Sequence, residues 1–148
     1  MVGYYISTGD EEVGSKFIPY VFGDNGLGKL IKEHISNKDY GDDLKLLLIQ
    51  YYVEGKFSRY LPEEPKLGNY KKKDRNIAIA IGVPCRLFHS RNEFERREFV
   101  VDSTLNAVNV VREKLEKKKL DINFDSLLSD LKEISKKFLE TQGSYSKI

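Results

Sequence analysis

The sequence holds one cysteine, Cys85, no tryptophan, one methionine and four prolines. A single cysteine excludes an intramolecular disulfide and any metal site built from several thiolates. No run approaches the ~18 consecutive apolar residues of a membrane span. The opening Met1-Val2-Gly3-Tyr4 lacks the charged-then-apolar order of a secretory signal, which places the expected location in the cytoplasm. The chain has no internal repeat, no low-complexity stretch and no linker long enough to divide two domains. H-E-x-x-H, G-x-S-x-G and C-x-x-C are all missing.

What is present fits a folded protein. The 148 residues are 40% hydrophobic and 32% charged, with nine tyrosines and eight phenylalanines, too many aromatics for a disordered chain. The length predicts one domain spanning residues 1–148, with 144–148 as a frayed tail. The net charge of +2 exerts little general pull on nucleic acid. Its distribution is uneven. Residues 1–43 carry four Lys/Arg against eight Asp/Glu, and the remainder twenty-one against fifteen. The acids cluster at Asp10-Glu11-Glu12 and at Asp39 with Asp42-Asp43. The bases cluster at Lys71-Lys72-Lys73 with Arg75, and at Lys117-Lys118-Lys119.

Residues 2–8 read as a strand ended by Gly9-Asp10. Phe17 to Phe22 is apolar, but Pro19 at its centre predicts an edge strand or extended loop. Leu27, Leu30, Ile31, His34 and Ile35 recur at helical spacing, which predicts a helix over 27–37. Leu44 to Val53 reads as a strand, with Phe57 to Leu61 as its hairpin return. Ile77 to Val83 alternates large and small residues, giving one bulky face and one flat face onto which a helix can pack closely.

Asn92, with Glu95 three residues on, opens a long helix whose apolar stripe runs Phe94, Val101, Leu105, Val108, Val111 and Leu115, with Arg96 and Arg97 on its polar side; the alternative is a strand over Arg97 to Val101, with Asp102 as the helix cap. Asn123 or Asp121 caps a last helix with the stripe Phe124, Leu127, Leu128, Leu131, Ile134 and Phe138, stopping before Gly143. Strands and helices fall in blocks, so the expected fold is α+β: an antiparallel sheet with helices packed on one face, two of them C-terminal.

Three constellations bear on chemistry. Gly23-Asp24-Asn25-Gly26-Leu27-Gly28-Lys29 fits G-x-x-x-x-G-K, whose backbone N–H groups cradle phosphate. The next residue should be Ser or Thr to hold magnesium, and it is Leu30. Without a parallel sheet to support it, the string reads as a turn into a helix. Cys85 and His89 could pair as nucleophile and base, against the commoner case of a buried structural thiol. Tyr40, Tyr51, Tyr52, Tyr60 and Tyr70 are interleaved with charge, a composition enriched at interface hot spots. No cofactor or metal site is expected.

The stretch Asn76-Ile-Ala-Ile-Ala-Ile-Gly-Val-Pro84, followed by Glu95-Arg-Arg-Glu-Phe-Val-Val-Asp-Ser-Thr-Leu-Asn-Ala-Val108 and the helix start Asn123-Phe-Asp-Ser126, resembles the small α+β immunity proteins encoded beside bacterial polymorphic and contact-dependent growth inhibition toxins. The resemblance implies a cytoplasmic, non-enzymatic chain that binds one cognate toxin domain tightly, often a nuclease. An inhibitor of a nuclease presents carboxylates to a cationic cleft. The candidate toxin-binding residues are therefore Asp39, Tyr40, Asp42 and Asp43, with Asp10, Glu11 and Glu12. The competing reading is nucleic-acid binding through Lys71 to Arg75 with Arg96 and Arg97, and a third is an enzyme of unknown chemistry around Cys85 and His89.

Overall fold

The computed structural model describes residues 2–8, 11–53, 65–68, 70–83 and 91–145. In chain order the elements are β1 (Val2–Thr8), α1 (Glu11–Phe22), α2 (Leu27–Ile35), β2 (Leu46–Val53), β3 (Lys66–Leu67), β4 (Asn76–Val83), α3 (Glu93–Leu115), a 3-10 turn (Glu116–Lys118) and α4 (Phe124–Tyr145). The strand order is β1-β2-β4-β3. The α+β class holds, but the sheet is mixed and not antiparallel. β1 pairs with β2 and β2 with β4 in parallel, and only the two-residue β3 runs antiparallel to β4. The cause is the connections: residues 9–45, which include α1 and α2, return the chain to the start of the sheet, so β2 runs the way β1 ran.

Register fixes the two faces. Val2, Leu47 and Ile77 align, as do Tyr4, Ile49 and Ile79, and Ile6, Tyr51 and Ile81. This bulky face is the one that takes the helices. The hydroxyls of Tyr4 and Thr104 hydrogen-bond at 2.6 Å, as do those of Tyr51 and Ser103, which ties α3 to it. The expected packing onto the flat side of β4 is thus corrected: Ala78 and Ala80 are half-buried, while Ile77, Ile79, Ile81 and Val83 are buried. Burying four branched side chains removes far more apolar surface from water than burying two alanines.

Phe17 to Phe22 is helical, not extended. Pro19 sits inside α1, where Phe17, Tyr20 and Val21 are buried. The Phe17 ring meets the Tyr51 ring edge-on at 4.9 Å, and Tyr51 stacks parallel to Tyr4 at 5.9 Å. The Tyr20 hydroxyl donates to Glu93 at the start of α3.

α3 begins as the sequence predicts. The Asn92 side chain accepts from Glu95 N at 2.8 Å and Glu95 Oε1 accepts from Asn92 N at 3.1 Å, a capping box. Its buried stripe differs from the expected one: Phe94 is exposed and Leu105 only half-buried, while Arg97, Val100, Thr104 and Ala107 are buried. The Arg97 guanidinium lies 4.7 Å from the Phe138 ring centroid, and its Nε donates to Glu93 at 3.3 Å. α4 is capped by Asn123, whose Oδ1 accepts from Ser126 N at 3.0 Å, and the helix continues through Gly143 to Tyr145. The predicted return strand at 57–61, Cys85 and His89 lie outside the described residues.

Candidate functional site

The glycine string forms the corner between α1 and α2. A parallel sheet exists after all, but a phosphate loop joins a strand to a helix, and here a helix precedes the string. Each glycine answers a packing demand. A Cβ on Gly23 would stand 2.5 Å from Pro19 O, one on Gly26 2.5 Å from Val21 O, and one on Gly28 2.7 Å from Val21 O and 3.1 Å from the Tyr4 ring. Lys29 pairs with Asp24 at 3.2 Å on the surface. His34 is exposed, and its Nδ1 bonds to Leu30 O at 2.8 Å.

The acidic segment 39–43 leaves α2 and enters β2, and residues 119–123 clasp it from the other side. Asp43 N donates to Asp121 O at 3.1 Å, while Asp121 N donates to Asp43 Oδ2 at 2.6 Å. Asp42 N donates to Asp121 Oδ2 at 3.1 Å, and Asn123 N to Tyr40 O at 2.6 Å. Gly41 adopts φ +121°, and a Cβ there would stand 2.2 Å from Asp121 O, so no other residue fits this contact. Tyr70 donates its hydroxyl to Asp43 O at 2.7 Å.

These contacts divide the predicted residues. Tyr40 is not a surface anchor: it is 3% exposed, and its hydroxyl donates to Asp130 at 2.7 Å. Burial, then the bond to the Asp130 carboxylate, pushes its phenol well above the ordinary range. Asp43 is buried as the brace of the clasp. Asp39 and Asp42 are exposed, and Asp39 Oδ1 accepts from Gly41 N at 2.9 Å. Glu11 and Glu12 open α1, while Asp10 lies outside the described residues.

The sequence offered Asp121 only as a helix cap and Tyr70 only as one of the charge-interleaved tyrosines, and it did not single out Asp130. Their partners lie 78, 27 and 90 residues away, so no local pattern reveals them.

The basic cluster adjoins the acidic one. Lys71 to Arg75 form an exposed turn closed by Asp74 N and Arg75 N on Lys71 O, with Arg75 at φ 55°. Arg75 Nη1 reaches Asp42 O at 3.4 Å. The competing nucleic-acid reading loses one of its cations, because Arg97 is buried against Phe138 and Glu93. A groove of about 420 Å³ between α3 and α4 has an apolar floor of Val101, Leu105 and Leu139 under Lys132, Lys136 and Glu140. Among the described residues no three His, Cys, Asp or Glu side chains are grouped to hold a metal ion, and no helix is long and apolar enough to cross a membrane.

The fold is α+β, and its braced surface loop carries two exposed carboxylates, Asp39 and Asp42. The family model described as Immunity protein 44 matches residues 3–137, and the chain belongs to that family. No curated protein and no solved structure matches it.

Proposed function

We propose that this chain neutralises a cognate toxin domain in the cytoplasm by binding it directly, with no chemistry of its own. The observation that carries the reading is the match to the Immunity protein 44 family over residues 3–137. The exposed Asp39 and Asp42, on a loop held by Asp121, Tyr40 and Asn123, favour a cationic partner. A nuclease is such a partner, since its cleft is built to hold phosphate. A loop backbone already held by a clasp loses little conformational freedom on binding, which favours affinity.

The test pairs the chain with the toxin domain encoded beside it. The wild-type chain should abolish toxicity when the two are co-expressed. Asp39→Asn with Asp42→Asn should slow association about tenfold at low salt, with the difference shrinking as salt is added. An association rate unchanged at every salt concentration would remove the acidic loop from the interface.

A further inference from the structure

We propose that α3 and α4 pack on the same two helices of a second copy of this chain, an association that needs no toxin. Val101, Leu105 and Leu139 floor the groove between the two helices, at the middle of α3 and toward the later half of α4. Phe94, seven residues before Val101 and so on the same stripe, is 45% exposed. The stripe is apolar at helical spacing, yet the chain covers only part of it, and Leu105 and Leu139 stay half-buried.

Ser135 is an independent mark of the same groove. It lines the groove at 4% exposed, and its Oγ has no hydrogen-bond partner among the described residues. Buried hydroxyls are ordinarily paired, and a second chain laid over the groove brings polar groups that can pair this one.

Charge selects the occupant. Lys132 and Lys136 line the α4 side, three residues before Ser135 and Leu139. Glu98 and Asp102 are exposed on α3, three residues before Val101 and Leu105. One rim is therefore basic and the other acidic. The helices run antiparallel, with Arg112 Nη1 donating to Asp125 at 3.2 Å and Arg97 Nη1 to Phe138 O at 3.4 Å. A two-fold axis parallel to the helices lays α3 of each copy over α4 of the other at the same height. The register of those two contacts then sets Asp102 of one copy level with the turn between Lys132 and Lys136 of the other, and the symmetry makes the pairing twice. An axis across the helices lays α3 over α3, acid on acid. Size agrees with this occupant. α3 has 23 residues and α4 has 22, which gives a two-helix face about 33 Å long and ~20 Å wide. Such a face is on the order of 650 Å² per copy, within the range of stable interfaces.

The test is sedimentation equilibrium of the full chain over ~1–100 μM, at low and high salt. The mass should rise from one chain toward two, and added salt should lower the dimer fraction. Asp102→Lys, and separately Lys132→Asp with Lys136→Asp, should each weaken the dimer about tenfold, with unchanged melting curves. All three changes in one chain should restore it to within about threefold. A single-chain mass at every concentration overturns the inference. If such a monomer also loses the toxin domain on Leu105→Lys, the groove belongs to the toxin and not to a second copy. A dimer that every variant leaves unchanged overturns this face as its seat. Weakening without rescue overturns the placement of α3 over α4.

Discussion

At the scale of single residues, the structure separates side chains that brace the acidic loop from those that face outward. Gly41 is the most constrained of the braces, because both its φ of +121° and the 2.2 Å approach to Asp121 O exclude a side chain. Gly41→Ala should therefore lower stability by more than about 2 kcal/mol, read as a shifted urea midpoint, and an unchanged midpoint would contradict the clasp. The buried phenols give a second expectation. Burial is the largest cause raising Tyr4, Tyr20, Tyr40 and Tyr70 above the ordinary 10.0, and it pushes Tyr51 up to about 12. Between those values the folded chain holds protons that the unfolded chain has released. The stability Tyr51 contributes is therefore complete below pH 10 and is lost as pH rises toward about 12, and the other phenols act in the same direction. Urea midpoints at pH 9 and pH 11 should show the fall, and equal midpoints would contradict the buried hydroxyls. That Tyr40 is one of them was hidden in the sequence, where its acidic neighbours resemble a surface loop and its partner Asp130 stands 90 residues away.

At the scale of elements, local signals were read correctly except at Pro19, and long-range ones were not. The capping box at Asn92 and Glu95 spans four residues, so a start of α3 at Asn92 was legible beside the alternative at Asp102. The strands of β2 and β4 were legible from composition, and their direction was not, because parallel pairing is set by how the chain crosses back between them. Pro19 misled in the other direction. It signals a break, yet α1 carries it next to the last turn, where Gly23 N still closes onto Pro19 O at 3.0 Å. The glycine string shows the same limit: its spacing matches a phosphate loop, and only the fold reveals a corner between two helices packed against Tyr4. Millimolar ATP or GTP should leave the melting temperature where it is. Lys29→Ala, at a pair whose side chains are 44% and 98% exposed, should change stability by less than about 0.5 kcal/mol. A rise of several degrees with nucleotide would contradict the structural role given to these glycines.

At the scale of the molecule, helices take one face of a mixed sheet, and among the described strands β1 and β3 are the outer ones. The uneven charge was legible in the sequence, since residues 1–43 hold eight of the acids and four of the bases. The edge position of β1 was not, because it depends on which strands lie between. The family to which the chain belongs supports one account: a protein that acts by occupying a partner. The most direct test is a calorimetric titration of the chain into the purified toxin domain encoded beside it. The account predicts saturation at one chain per toxin domain with a dissociation constant on the order of nanomolar or tighter, in the range of tight inhibitor complexes. Heats that never rise above dilution would contradict it.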